Sequence, residues 1–78
     1  MIVASVRIYV DGACEAVHER VVAACVRSGV VVHRYINSAL LLEYLCTTDA
    51  PSGLRTLAEE LVCGPHILKV EVGPPKAK

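Results

Sequence analysis

Residues 30 to 48 read Val-Val-Val-His-Arg-Tyr-Ile-Asn-Ser-Ala-Leu-Leu-Leu-Glu-Tyr-Leu-Cys-Thr-Thr, two β-rich runs of similar length meeting at Asn37-Ser38. This is the signature of a hairpin, and it constrains everything around it. On each side lies one helix-like run and, beyond it, one more β-like run. The order is strand, helix, strand, strand, helix, strand, a duplicated βαβ layout without a sequence repeat. Because the crossover in a βαβ unit is right-handed, two such units interleave most simply into a four-stranded antiparallel sheet with both helices on one face. The expected fold is α+β and ferredoxin-like, βαββαβ, in one domain over residues 1–73 with a flexible tail at 74–78.

Ile2, Ala4, Val6, Ile8 and Val10 alternate with Val3, Ser5, Arg7 and Tyr9, a period of two that makes residues 2–10 a strand with one apolar face. Asp11 is placed to cap a helix running from about Ala13 to Arg27. Val17, Val21, Ala24 and Cys25 form its buried stripe, and Ser28-Gly29 ends it. A second helix begins around Pro51-Ser52 and repeats Leu54, Leu57, Ala58 and Leu61 at helical spacing, with Arg55 and Glu59 paired on its wet side. Cys63-Gly64-Pro65 stops it, and residues 67–72 alternate as a last strand.

A two-residue turn at Asn37-Ser38 pairs residues 36 and 39. It puts Val31, His33, Tyr35, Leu40, Leu42 and Tyr44 on one face and Val30, Val32, Arg34, Leu41, Glu43 and Leu45 on the other. A loop of odd length puts His33, Tyr35 and Leu41 on one side instead, and periodicity does not choose between the registers. In the two-residue register the sheet face left bare by the helices carries Val3, Tyr9, Val30, Val32, Leu41, Leu45 and Ile67. That patch is larger than soluble monomers usually expose, so the face is expected to pair with a second copy or a partner subunit.

Size supports the same expectation, because a chain of 78 residues buries only about 60% of its unfolded surface and has a marginal core alone. Although 54% of its residues are hydrophobic, the longest apolar run, Val21 to Val26, is six residues against the roughly 20 that a membrane span needs. No charged segment precedes an apolar stretch, which points away from a signal peptide and to the cytoplasm. Eight Lys and Arg balance eight Asp and Glu, which removes the electrostatic footprint of a duplex nucleic-acid binder. Three Tyr, with no Phe or Trp, offer little for base stacking.

The four Cys, at positions 14, 25, 46 and 63, include no C-x-x-C pair, so free thiols are expected rather than a structural zinc site. Cys14 and His18 share a helix face, but two ligands are too few to hold a metal. A copper-chaperone loop on this fold requires a second Cys three residues after Cys14, where Val17 stands. His33, read as lying in a central apolar strand, must be hydrogen-bonded, neutral or ligating to offset its desolvation. Arg34 and Glu43 are a candidate cross-strand ion pair. No Ser, His and Asp set has the order of a nucleophile elbow, and no Gly-rich loop follows a strand. Neither an enzyme activity nor a cofactor is expected.

At His33-Arg34-Tyr35-Ile36-Asn37, followed by Leu42-Glu43, the chain resembles the C-terminal regulatory domain of NikR-type nickel-responsive repressors. That domain is ferredoxin-like and related in fold to the amino-acid-binding ACT domains. The resemblance implies a regulatory domain that oligomerises through its sheets and answers to a small effector. The family carries His-x-His in the hairpin and a Cys six residues after the second His. His33 matches the first position, whereas Tyr35 stands at the second and Leu41 at the Cys. A further family His, from a partner subunit, falls near Cys25 or Val26. His33, Tyr35 and Cys25 are thus the positions of a ligand site or a vestigial metal site. The missing ligands leave no square-planar set for nickel, and no metal is expected. Leu54, Leu57, Ala58, Glu59 and Leu61 also fit the family's second helix.

Two other small subunits compete. Glu60 to Ile67 followed by Val70-Glu71-Val72 is similar to the end of PurS, the structural subunit of formylglycinamidine synthase. Leu54-Arg55-Thr56 after an alternating strand resembles the dimerisation subunit of the KEOPS tRNA-modification complex. All three resemblances imply a non-catalytic domain that works by pairing.

Overall fold

The alternation of residues 2–10 becomes β1 (Ile2–Val10), and in the computed structural model the even side chains Ala4, Val6, Ile8 and Val10 are buried while the odd ones face away from the helices. The structure describes residues 1–74, 76 and 77; Pro75 and Lys78 lie outside the described residues. After β1 come α1 (Cys14–Ser28), β2 (Val30–Ser38), β3 (Leu41–Thr48), α2 (Pro51–Val62), β4 (Ile67–Val72) and β5 (Lys76–Ala77). The sheet runs β2-β3-β1-β4 with every pair antiparallel. This is the expected ferredoxin-like arrangement, each βαβ half contributing a central strand and an edge strand.

The last strand is an addition. Lys76 and Ala77 pair with Val3 and Ile2 where the sequence suggests a flexible tail. β4 pairs only with residues 6–10 of β1, which leaves the first residues of β1 with open backbone groups, and β5 takes up that edge.

Both helices cover one face. Val17, Val21, Ala24 and Cys25 of α1 and Leu54, Leu57 and Leu61 of α2 meet Val6, Ile8, Val10, Leu42, Tyr44 and Cys46 from the two central strands. Gly29 closes α1 in the left-handed conformation at φ 70°, as its lack of a Cβ allows. Asp11 does not cap α1. Gly12, at φ 146°, turns the chain away from the first helical turn, and the Asp11 carboxylate instead bonds His66 Nδ1 at 3.0 Å. α2 starts at Pro51 without a side-chain cap. On the wet side Glu60 pairs with Arg27 of α1, and the expected Arg55–Glu59 pair is not among the ion pairs of the described residues.

The hairpin differs from expectation in two ways. Its turn is Ala39-Leu40, with φ 37° and 61°, so Asn37 and Ser38 continue β2 and Ser38 pairs with Leu41. A β-bulge at His33 then separates the Arg34–Leu45 pair from the Val32–Cys46 pair. The extra residue reverses the alternation. Tyr35 shares the helix side with Leu42 and Tyr44, as the two-residue register requires, but Val30 and Val32 turn to that side as well. Val30 is 4% exposed and sits in the core, and Val32 packs against it. Ile67, beyond a second irregularity opposite Tyr9 and Val10, also packs on the core. These three residues therefore leave the predicted open face. β2 is an edge strand rather than a central one, which is why most of it is exposed. No described helix is long and apolar enough to cross a membrane.

Candidate functional site

The face without helices is assembled in rows, because antiparallel partners on one side of a sheet stand next to each other. One row is Glu43 of β3, Arg7 of β1 and Glu71 of β4. On one side of it lie Leu41, Tyr9 and Lys69; on the other lie Arg34, Leu45 and Ser5, followed by Thr47, Val3 and Lys76. Of the predicted interface residues, Val3, Tyr9, Leu41 and Leu45 are here, each half-buried by its neighbours although nothing covers the sheet. The face is amphipathic rather than uniformly apolar.

Its charges are largely paired within the face. Arg7 Nε donates to Glu43 Oε2 at 2.8 Å, so Glu43 has Arg7 as its partner in place of the expected Arg34. Tyr9 donates its hydroxyl to Glu71 Oε1 at 2.7 Å, and Lys69 Nζ stands 3.5 Å from the other carboxylate oxygen and 5.9 Å from the centre of the Tyr9 ring. The Tyr9 hydrogen bond, helped by Lys69, holds the Glu71 carboxyl below the usual range, and the same bond holds the Tyr9 hydroxyl above its own. The bond to Glu43 likewise raises Arg7.

Two adjoining hollows open on this surface. The larger, about 560 Å³, is lined by Val3, Ser5, Arg7, Leu45, Glu71 and Lys76 among others, at the place where the chain leaves β4 and returns as β5. The smaller, about 210 Å³, is lined by Ser5, Arg34, Ile36, Glu43 and Leu45. Ser5 and Leu45, cross-strand partners, belong to both. Nothing in the sequence pattern alone singles out Ser5, Arg7, Arg34 and Glu71 as ligand-facing groups. For Ser5 and Arg7 the signal is the polar odd positions of β1, while Arg34 and Glu71 carry none of that kind.

The residues predicted from the NikR resemblance are not brought together within the chain. His33 lies on the open face, its Nε2 2.7 Å from Thr47 Oγ1. Tyr35, across the bulge, lies on the helix side and stacks on His18 with ring centres 4.0 Å apart. Cys25 is buried in the core, in hydrogen-bond contact with Cys46, whose thiol is pushed up by that bond and by burial. Among the described residues no three His, Cys, Asp or Glu side chains are placed to hold a metal ion. Tyr35 and His18 belong instead to an aromatic cluster with Tyr44. His18 Nδ1 is hydrogen-bonded to the Tyr44 hydroxyl at 2.8 Å, and burial raises that hydroxyl far above its ordinary range.

No protein-family model matches the sequence, and no curated protein matches it. Solved structures do share its fold. The ACT domain from GTP pyrophosphokinase of Chlorobium tepidum superposes with a TM-score of 0.69 at 15% identity, covering 90% of this chain and 95% of that one. The C-terminal domain of the MgtC protein from Mycobacterium tuberculosis also superposes with a TM-score of 0.69, at 16% identity, over 92% of this chain and 85% of that one. The architecture is therefore ACT-like.

Proposed function

We propose that this protein is a small regulatory domain of the ACT type, one that binds an effector and associates with its own kind through the open sheet face without performing chemistry. The observation that carries the reading is a bare face where Val3, Tyr9, Leu41 and Leu45 flank paired charges, with a hollow of about 560 Å³ lined by Val3 and Leu45 among others, within the range of roughly 300–1,000 Å³ typical of ligand sites. The NikR-type version is narrower. His33 lies on the open face while Tyr35 stacks against α1, so we carry over regulation by a small effector and not by nickel.

Association is tested by sedimentation of the wild type and of Leu45→Arg. The wild type is expected to be at least dimeric at micromolar concentration. The variant, which adds a cation at the centre of the face, is expected to lose several kcal/mol of association, about 3–5, by leaving a charge unpaired in the contact. A monomeric wild type, or a fully associated variant, removes the proposal.

A second reading, a structural subunit of a larger complex such as PurS or the KEOPS dimerisation subunit, is favoured by the β2 edge. There Val31 and Ile36 are 56% and 48% exposed, and Leu40 in the adjoining turn is 52% exposed, an apolar edge that another chain can extend. Insolubility cured by a co-expressed partner would support that reading over the first.

A further inference from the structure

The chain is neutral overall, with eight basic and eight acidic residues, yet its charges are not evenly divided. The open face holds four cations, Arg7, Arg34, Lys69 and Lys76, and two carboxylates, Glu43 and Glu71. Glu43 is taken by Arg7 and Glu71 by Tyr9 and Lys69. Arg34 and Lys76 are left without an ion-pair partner among the described residues. They stand at opposite ends of the joined hollows, Arg34 in the smaller and Lys76 in the larger, with Ser5 and Leu45 between them.

We infer that this trough binds a small molecule consisting of a carboxylate on an apolar body, the carboxylate held by Arg34 and the body lying over Leu45 and Val3 toward Lys76. Several features of the chemistry select that class. A guanidinium presents a planar fork of donors that matches a carboxylate. The floor of Val3, Ile36 and Leu45 is apolar and gains from covering a hydrocarbon. An ammonium on the ligand would find both local carboxylates already engaged. A face-to-face contact between two copies would also bring both surplus positive charges together, and a bound anion relieves that repulsion.

This inference rests on the open face being the working surface. It is tested separately from self-association by following backbone amide shifts by NMR while the wild-type chain is titrated with octanoate, octylamine or inorganic phosphate. Octanoate is expected to shift the amides of Ser5, Ile36 and Leu45, and the other two probes to leave them in place. Arg34→Gln is expected to weaken octanoate about tenfold, the size of one lost charge-assisted hydrogen bond. Arg55→Gln, on the exposed side of α2, should leave binding unchanged. Failure of octanoate to bind, equal binding of octylamine, displacement by phosphate, or undiminished binding to Arg34→Gln each overturns the inference. Self-association that persists without octanoate binding removes this site and leaves the proposed function standing. A monomer that binds octanoate does the reverse.

Discussion

At the scale of single residues, Tyr44 shows how a side chain of unremarkable sequence context acquires a distinct chemistry. It is fully buried, with no exposed surface, and its hydroxyl has one hydrogen-bond partner, His18. Burial raises its folded-state pKa above that of the unfolded chain. The sign follows from linkage: a group raised on folding contributes stability that is complete below its unfolded pKa of about 10 and is lost as pH climbs beyond it. Tyr44→Phe should therefore cost about 1 kcal/mol at neutral pH through the lost hydrogen bond, and the gap between the two proteins should close in alkali. Urea melts at neutral and alkaline pH measure both. A gap that stays constant with pH would show that Tyr44 does not couple to folding.

Among the elements, the hairpin is where sequence pattern and structure part. Asn37-Ser38 has the composition of a turn, yet the chain turns at Ala39-Leu40, whose positive φ angles match the twist of a two-residue hairpin. Ala and Leu adopt that conformation at a cost of about 1–2 kcal/mol each. The tertiary contacts decide the place: the Leu40 carbonyl accepts the Val10 amide at 3.0 Å, and the register that results puts Leu42, Tyr44 and Cys46 in the core. Ala39→Asn combined with Leu40→Gly should relieve the strain and stabilise the fold by about 1–2 kcal/mol, read as a higher melting temperature. A lower one would mean that the turn is not where the geometry puts it.

For the molecule as a whole, the two βαβ halves also meet across a tight junction where α2 begins beside the end of α1. A Cβ built on Gly53 would lie 2.6 Å from the Ser28 carbonyl oxygen, a backbone atom that cannot rotate away. Thr48 strengthens the same junction, its hydroxyl donating to the Gly29 carbonyl at 3.1 Å and accepting the Ala50 amide at 3.2 Å. Gly53→Ala should force the helices apart and destabilise the protein by about 1–3 kcal/mol, although alanine is ordinarily the better helix former. Chemical denaturation checks this, and a variant as stable as the wild type would contradict so close an approach.

The sequence by itself determined the six elements of the βαββαβ core and their order, though not β5, because strands of period two and helices of period near four can each bury only one face. It also placed Val6, Ile8, Val21, Leu57 and Leu61 in the core, since those positions depend only on local alternation. The uninterrupted apolar run at residues 30–32 of β2 carries no such information. Val30 and Val32 read equally well on either side of the sheet, and the bulge that sends them to the helices arises from pairing with β3, a contact between strands. The candidate site was hidden for the same reason. Ser5 and Arg7 of β1, Arg34 of β2, and Glu71 and Lys76 of β4 and β5 come from three distant stretches of the chain, and only the sheet order β2-β3-β1-β4, with β5 on the end of β1, draws them onto one surface.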